Sequence, residues 1–584
     1  MRNFLCASIL LTLIFTVNCN TNNKEKNVKS VQSFTSFETN FLDAYWKQYP
    51  SYAILVGYGK YYDHLVIPDS SSLKSNLSFS KRWTDSLNKM EFDKLSDNDK
   101  ISFNIIKNQL ETDDWYQSVF KEHEWDASVY NLTEACYSII TQSYAPLTER
   151  LKTLSSRLQN STEYYQAAFY ALRQPTREHI ELSILQNNAG LSVFGADLTD
   201  SINSSKLTDQ EKASLKDNVI KTVKAIKTYV DFLKEILANK NYSFRSFKIG
   251  KELFTEKFRY DLVTDFTPEE IYNRAINDKK FYYDEMFVLA NDLWSKYFHT
   301  QTKPTDSLAI IQSVIDKIAL QHVTPANLFD TLTSHVYQLK HFIIQKDLFD
   351  FDTTYPIKVR LMPSYARGVT IASAEFPLPY QKEKETYYNI DDLTEYPKEK
   401  AESALREYNN YALQILSIHE AVPGHCLQGI YTNKKSPDIL RSVFVNGAMI
   451  EGWGIYAEAM MLENGWGNNS PEMKIIYYKH KLRGLANVII DYDIHCIGKT
   501  REDIMHLLIN ECFQTSAQAE EKYHRATVSQ VQLCTYYTGA ISILSLREAY
   551  KKKMGDKYKL KDFHEKFLSF GSSPIKYIRE RMLQ

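Results

Sequence analysis

The stretch from Ser417 to Gln428 holds the residues best suited to chemistry, in the order Ser-Ile-His-Glu-Ala-Val-Pro-Gly-His-Cys-Leu-Gln. Two histidines, His419 and His425, flank Glu420. In zinc hydrolases with a spacing of four, two such histidines share one helix face and the glutamate acts as a base. Here the spacing is six, which rotates the second histidine by about 240° on a regular helix, against about 40° for four. The two histidines can therefore share a metal only if the helix is interrupted between them.

Pro423 and Gly424 predict such an interruption. Proline removes a helical hydrogen bond, and glycine permits backbone conformations that are strained for other residues. Two interpretations stay open from this stretch alone. One is a metal site formed across a bent backbone. The other is a helical His419 and a loop His425 that are merely hydrogen-bonded.

A second acidic group follows in an apolar segment, Phe444–Leu462, which contains Glu451 and Glu458. Seven residues apart, these glutamates lie on nearly the same helix face. Burying two carboxylates among apolar residues is costly without a positive partner, and a divalent cation is one such partner. We therefore expect Glu451 to be a metal ligand and Glu458 to support a ligating histidine. The alternative is a pair of glutamates on a solvated face.

The first residues predict an export signal. A positive start at Arg2 precedes an apolar run from Phe4 to Val17, and Cys19 is followed by a polar stretch. This pattern predicts a signal peptide over 1–19, with Cys19 lipidated as in bacterial lipoproteins. The alternative is a plain signal peptide, since Asn18 departs from the usual small residue. We expect an exported, lipid-anchored protein of the cell envelope, in the periplasm or at the cell surface.

Composition narrows the classes of function. The 584 residues contain 70 Lys+Arg and 71 Asp+Glu, a net charge of −1 that argues against a nucleic-acid partner. No later segment has about 18 consecutive apolar residues, so the membrane is reached only through the lipid anchor. Five further cysteines lack metal-ligand spacing and do not indicate a disulfide framework. They are Cys136, Cys426, Cys496, Cys512 and Cys534.

Helical periodicity predicts a mostly α fold. Apolar residues recur at three- and four-residue spacing in Ser143–Leu158, Leu207–Leu237 and Thr267–Lys296. Thr267-Pro268 marks the start of the last of these helices. The exception is Tyr355–Asn389, whose short β-prone runs predict a small antiparallel sheet just before the metal-site helix. Such a sheet is well placed to bind an extended peptide along its edge.

The domain organisation predicted from these patterns has three parts. Residues 1–19 form the signal peptide, and the Ser/Thr/Asn/Lys-rich residues 20–36 form a flexible tether. Residues 37–584 form one large helical cleft domain, in which two lobes meet near residues 250–260.

The ordered motifs resemble a bacterial family called domain of unknown function 885, which is grouped with zinc metallopeptidases of the gluzincin type. His419–Gln428 and Glu451–Glu458 carry the resemblance. Further matching pieces are Leu147–Leu151, Val488–His495, Arg525–Gly539 and Phe563–Pro574. Two departures are Gln530-Val531, where the family usually has Pro-Gly, and Cys426, which often corresponds to a histidine.

The resemblance implies a mostly helical fold with a deep cleft and one zinc ion per chain. It implies zinc ligands at His419, His425 and Glu451, with Glu420 as the base for the attacking water. Tyr536 and His495 are then expected to donate to the oxyanion of the tetrahedral intermediate. These six roles come from the resemblance together with the local spacing.

Arg525 lies seven residues before Gln532 and so near the same helical face. It is a candidate for binding a substrate carboxylate. A surface salt bridge is the equally weighted alternative.

The predicted function is zinc-dependent hydrolysis of peptide bonds in short peptides, because a deep helical cleft excludes folded chains. Two alternatives stay open: a non-catalytic peptide-binding lipoprotein, and a metal-dependent hydrolase of a non-peptide amide or ester. The sequence does not determine the oligomeric state, or whether the enzyme trims an end or cuts inside a chain.

Overall fold

The computed structural model describes residues 33–352, 354–363, 370–381 and 385–584. These residues are mainly helical and include one small sheet, which confirms the predicted mostly α class. The predicted signal peptide, Cys19 and residues 20–32 lie outside the described residues. The first helix begins at Phe34 with Ser33 as its N-cap, so the last three residues assigned to the tether are helical. Within the described ranges no helix has the length and apolar character needed to span a membrane.

A first hydrophobic core is built by the N-terminal helices, and the later helix α18 (Leu440–Val443) also contributes to it. The N-terminal helices are α1 (Phe34–Gln48), α2 (Pro50–Leu55), α3 (Ser70–Leu87), α4 (Asp97–Trp115), α5 (Thr133–Thr141), α6 (Leu147–Leu158), α7 (Ser161–Ala171), α8 (Arg177–Gly190), α9 (Ala196–Ser204) and α10 (Asp209–Ala238). Thr208 and Glu211 close a capping box at the start of α10, which fixes where this 30-residue helix begins.

A second core joins the middle of the chain to later helices. Its helices are α11 (Gly250–Leu262), α12 (Pro268–Phe298), α13 (Ser307–Ala319), α20 (Pro471–Tyr492), α21 (Arg501–His506) and α22 (Ser516–Val528). Helix α12 begins at Pro268 with Thr267 as its N-cap, as the sequence predicts.

A third core is formed by the remaining helices and the sheet. The helices are α14 (Leu328–Gln345), α15 (Lys398–Glu407), α16 (Ala412–Glu420), α17 (His425–Lys435), α19 (Gly447–Glu463), α23 (Thr535–Met554), α24 (Leu560–Leu568) and α25 (Ile575–Leu583). Helices α16 and α19 each contribute residues to both the second and the third core. The helices that carry the candidate site therefore lie where two cores meet.

The sheet is mixed, in the order β1-β3-β2. Its strands are β1 (Ile357–Leu361), β2 (Ala372–Glu375) and β3 (Thr386–Ile390). The pair β2–β3 is antiparallel as predicted, but β1 pairs with β3 in parallel. The predicted sheet was antiparallel throughout. In the structure β2 occupies one edge of β3 and is antiparallel to it, and β1 occupies the opposite edge and is parallel to it. The edge strand β2 begins at Ala372, and residues 364–369 of the predicted β-prone segment lie outside the described residues.

The interval 250–260, where two lobes were predicted to meet, lies within helix α11. Phe254 and Phe258 of this helix belong to the second core. Trp115, Phe120 and Trp125 precede this interval and also belong to the second core, and the two-lobe boundary stays a prediction.

Helices α19 and α23 touch through their backbones. A Cβ added at Gly539 would overlap the carbonyl oxygen of Ala448 and lie 2.7 Å from the Cα of Gly452. Two helices this close can pack only where side chains are absent. The glycine pair therefore fixes the position of α19 relative to α23.

We predict that Gly539→Ala destabilises the protein by about 1–3 kcal/mol or more, because the new methyl group forces the two helices apart. Gly484→Ala in α20 is the matched control, since a Cβ there meets nothing within 4 Å. The control should stabilise the protein by about 0.5–1 kcal/mol through helix propensity alone. Denaturant titration of the three proteins measures both effects, and equal stability of wild type and Gly539→Ala would contradict the packing argument.

Candidate metal centre

The helix break expected between the two histidines is present. Helix α16 ends at Glu420 and α17 begins at His425. Gly424 lies so close to the end of α16 that a Cβ there would overlap the carbonyl groups of Ile418 and His419. The Trp453 indole N–H donates to the carbonyl oxygen of Pro423 at 2.8 Å, which fixes this turn against α19.

The break brings both imidazoles to one carboxylate. Nε2 of His419 lies 3.8 Å from Oε2 of Glu451, and Nε2 of His425 lies 3.7 Å from the same oxygen. The two imidazole rings are 4.7 Å apart and nearly perpendicular. Three donor atoms from three helices thus converge on one point.

These separations match the donor set of a zinc site. Ligand atoms about 2.0–2.1 Å from a tetrahedral zinc ion are about 3.3 Å from one another. The observed separations of 3.7 and 3.8 Å are slightly longer and need only a small contraction. Two histidines and one glutamate are also a donor set found in catalytic zinc sites. The residues present therefore fit the metal that the sequence predicts.

Supporting side chains hold the far nitrogen of each imidazole. Nδ1 of His419 lies 2.7 Å from the carboxylate of Glu458, and Nδ1 of His425 lies 3.1 Å from Oε1 of Gln428. Since a carboxylate accepts only, Nδ1–H of His419 donates to Glu458, which turns Nε2 towards Glu451. Glu458 is fully buried and lies at 3.2 Å from Nε2 of His480 as well.

The charges around His419 shift its protonation. Burial alone would lower the pKa of His419, but the nearby carboxylates of Glu451 and Glu458 outweigh it and raise this pKa well above its ordinary value. Burial would raise the pKa of Glu451 and of Glu458, but the neighbouring histidines lower both. These shifts favour ionised carboxylates at Glu451 and Glu458 and a positively charged imidazole at His419.

The carboxylate of Glu420 lies close to His419 and His425 but makes its hydrogen bond to another part of the chain. One carboxylate oxygen of Glu420 and one ring nitrogen of each histidine all lie within 4.8 Å of one another. Oε2 of Glu420 accepts a hydrogen bond from the backbone N–H of Ala374 in β2 at 3.2 Å. A carboxylate in this position can exchange a proton with a group bound between the histidines.

Room for the imidazole of His419 comes from a glycine of α19. A Cβ added at Gly454 would lie 2.5–2.8 Å from ring atoms of His419. Any larger residue at this position would displace the ring from Glu451 and Glu458.

Arg525 and Tyr536 form a separate group at the start of α23. One terminal nitrogen of Arg525 donates to Oε1 of Gln532 at 2.7 Å and to the hydroxyl of Tyr536 at 3.3 Å. Tyr536 lies three residues before Gly539, which contacts Gly452, the neighbour of Glu451. The helical rise and the glycine contact therefore place the Cα of Tyr536 at most about 13 Å from the Cα of Glu451.

His495 is not brought to this centre. It is 2% exposed, its Nε2 lies 2.9 Å from the carbonyl oxygen of Ala526, and its ring stacks on Phe254. Its contacts are with Ala526 of α22 and Phe254 of α11. Among the described residues no hydrogen bond or ion pair joins it to His419, His425 or Glu451. The oxyanion role of His495 stays a prediction.

Two supporting residues were missed by the sequence analysis. His480, which contacts Glu458, carries no motif, because its partner lies 22 residues away on another helix. Gln428 does carry a signal, since it follows His425 by three residues and must lie on the same helix face.

The comparisons with known proteins place the chain in a family. Residues 50–582 match the family described as "Bacterial protein of unknown function (DUF885)". The chain belongs to the DUF885 family. This confirms the resemblance seen in the motifs, while the relation of DUF885 to gluzincins stays a prediction.

Two solved structures are similar to this DUF885 chain. One is described as "a putative lipoprotein of unknown function from Shewanella oneidensis", with 41% identity and a TM-score of 0.88 over 95% of this chain and 100% of that one. The other is "the putative lipoprotein from Colwellia psychrerythraea", with 16% identity and a TM-score of 0.75 over 94% of this chain and 99% of that one. The second similarity shows the fold alone. No curated protein matches the chain significantly.

We predict that His495 limits stability in acid. Burial lowers the pKa of His495 from 6.5 to about 4. The unfolded chain therefore takes up a proton at this residue between about pH 6.5 and 4 that the folded protein does not, so stability falls as the pH falls through this window. His495→Gln, which keeps an N–H donor, should reduce this loss by up to about 3 kcal/mol at pH 4.

Denaturant titration at pH 7 and pH 4.5 measures the difference. His341→Gln, at an exposed histidine, is the control and should leave the pH dependence unchanged. An identical acid loss in wild type and His495→Gln would contradict a neutral, structural His495.

Proposed function

We propose that this DUF885 chain is a zinc-dependent peptidase that hydrolyses peptide bonds in short peptides. The observation that carries the proposal is the convergence of His419, His425 and Glu451, with Glu420 beside them. Buried structural histidines are usually satisfied by one partner each. Here a single carboxylate oxygen faces two imidazole nitrogens, an arrangement that a cation shared by all three explains.

The proposed ligands are Nε2 of His419, Nε2 of His425 and the carboxylate of Glu451. Zinc held by these residues would lower the pKa of a water molecule towards neutrality and polarise a substrate carbonyl. Glu458 and Gln428 hold the imidazoles in the orientation this requires, through their hydrogen bonds to Nδ1.

Glu420 is the proposed general base and acid. Its carboxylate takes a proton from the attacking water and passes that proton to the nitrogen of the leaving amine. The hydrogen bond from Ala374 places this carboxylate against β2, an edge strand of the sheet. A peptide that pairs with the edge of β2 would bring an amide group to Glu420, which supports an extended substrate.

Tyr536 is the proposed donor to the oxyanion. Its hydroxyl accepts from Arg525, so its own O–H is free to donate to a substrate oxygen. Donors aimed at the developing oxyanion contribute several kcal/mol to catalysis. The close packing of α23 on α19 supports this role, because it holds the tyrosine within reach of the glutamate-bearing helix.

The proposal extends to location. Similarity to a chain described as a putative lipoprotein supports export and lipidation at Cys19. The active centre would then work in the cell envelope on peptides small enough to enter the cleft, with membrane attachment through the lipid alone.

We predict about one zinc per chain in protein that begins after Cys19 and is purified without chelator. His425→Ala and Glu451→Ala should each lose the metal, because each variant keeps only two of the three proposed ligands. Mass spectrometry of the metal content measures this directly. His341→Ala should retain zinc, since it removes an exposed histidine elsewhere.

Absence of metal in wild type, even after zinc is added back, would contradict the zinc site. The chain would then be treated as a peptide-binding lipoprotein, since nothing else in the proposal activates water.

We predict that Glu420→Gln retains zinc and lowers the rate of peptide hydrolysis by about 10²–10⁴-fold, because the amide cannot accept the proton. Peptide products from a mixed pool, quantified by mass spectrometry, measure the rate. Glu565→Gln, which removes a carboxylate outside the zinc group, is the control and should keep full activity.

Full activity of Glu420→Gln with zinc bound would refute the proton-transfer role. Zinc binding without cleavage of any peptide at any pH would instead favour hydrolysis of a non-peptide amide or ester by the same centre.

A further inference from the structure

We infer that the enzyme works from the carboxyl end of its substrate, with Arg525 binding the free α-carboxylate of the peptide. Gln532 and Tyr536 hold the guanidinium in place. This inference rests on the proposed peptidase function and adds the substrate class: peptides with a free carboxyl terminus, cut near that terminus.

The guanidinium of Arg525 is held but not neutralised. The side chain is exposed, and one terminal nitrogen makes both of its hydrogen bonds, to Gln532 and Tyr536. Within the described ranges no carboxylate lies in ion-pair distance of it, and its other two nitrogens make no hydrogen bond. The N–H groups of Nε and Nη1 are therefore left to donate to a carboxylate, and the positive charge of the group is not neutralised. The salt bridge that served as the alternative for Arg525 is absent from the same ranges.

The turn that carries Gln532 is rigid. Val531 is fully buried with a φ of 72°, a left-handed conformation that is rare for a β-branched residue. The Cys534 thiol donates to the buried carboxylate of Asp491 at 3.5 Å. Unusual backbone held by surrounding structure is typical of functional sites. The turn therefore fixes the two side chains that orient Arg525.

One face of helix α20 connects this turn to the metal centre. His480, Gly484, Asn487 and Asp491 lie within about 60° of one another around the helix axis. His480 contacts Glu458 at one end, and Asp491 contacts the Cys534 turn at the other. The face therefore runs from the supporting shell of the zinc site to the base of the Arg525 group.

This face offers space and an unused polar atom. A Cβ added at Gly484 meets nothing within 4 Å, although glycine inside a helix costs about 1 kcal/mol relative to alanine. Asn487 is 9% exposed, and its side-chain oxygen has no hydrogen-bond partner within the described residues. A buried amide oxygen without a partner is a place for a ligand N–H. Asp491 at the end of this face is fully buried, so the space for a ligand lies beside Gly484 and Asn487.

The position of Tyr536 limits where the bond is cut. Its hydroxyl, the proposed donor to the oxyanion, lies 3.3 Å from the guanidinium of Arg525. A peptide held by its carboxylate at Arg525 is therefore cut close to its carboxyl end.

Equilibrium dialysis with two peptide pools tests the carboxylate site. Both pools contain the same N-acetylated pentapeptides, one as free acids and the other as carboxyl-terminal amides. The protein is Glu420→Gln, so peptides are not consumed, and it is tested with zinc and without. We expect the acids to bind about 10- to 100-fold more tightly than the amides in both states.

Variants of Arg525 assign the preference. In the Glu420→Gln background, Arg525→Gln should bind acids and amides equally, and Arg525→Lys should keep part of the preference because it retains the charge without the planar fork. Lys551→Gln is the matched control. It removes an exposed cation from α23, about 22 Å along the helix from Tyr536, and should keep the full preference.

Equal binding of acids and amides in the parent protein, or an acid preference that survives Arg525→Gln, would overturn the inference. Cleavage separates it from the proposed function. Enzyme with Glu420 and zinc should cut the acids near their carboxyl ends and leave the amides intact. Equal cutting of both pools would sink the inference while the peptidase stands, whereas acid-selective binding without cleavage would keep the carboxylate site and remove the peptidase function.

Discussion

The buried pair of His419 and Glu458 is the interaction on which the candidate site depends. A fully buried carboxylate is tolerated only with charged or hydrogen-bonding partners, and Glu458 has His419 and His480. The pair joins α16, α19 and α20 in one hydrogen-bonded group. It also directs the second nitrogen of His419 towards Glu451, so the orientation of the site follows from how one buried charge is satisfied.

The arrangement of the site residues requires close approach of backbone segments. Gly424 lets the chain turn back against the end of α16, Gly454 leaves space for the imidazole, and Gly452 meets Gly539 across two helices. Each glycine removes a side chain at a point where two groups must approach. The geometry of the site therefore depends on these glycines as well as on His419, His425 and Glu451. The site lies where two hydrophobic cores meet.

Local rules predicted the parts of the site that are local in sequence. The six-residue spacing, Pro423 and Gly424 together required a helix break, and the seven-residue spacing placed Glu451 and Glu458 on one face. These predictions depend only on helix geometry and the cost of buried charge. The mostly α class and the start of α12 at Pro268 follow in the same way from periodicity and capping.

Those local rules could not predict contacts between residues that are far apart in the sequence. His480 has no sequence signal because its role depends on which helix packs beside α19. The parallel pairing of β1 with β3 depends on which edge of β3 each strand occupies. Strand propensity does not determine that edge. His495 was proposed from a family motif, and the motif spacing did not reveal that its ring lies against Phe254 and Ala526.

Helix α20 joins the two polar groups of the structure. Its hydrogen-bonded backbone sets the distance from His480 to Asp491 by the rise per residue, whereas a loop would leave that distance variable. His480 contacts Glu458 at one end, and Asp491 contacts the Cys534 turn at the other. Tyr536 lies beside Arg525 on α23, which the glycine contact holds against the helix of Glu451. Under the proposed function, a terminal carboxylate at Arg525 would lie next to the oxyanion donor. Such a site would favour short peptides over folded chains, since folded chains rarely present a free carboxyl end in extended form beside a bond to be cut.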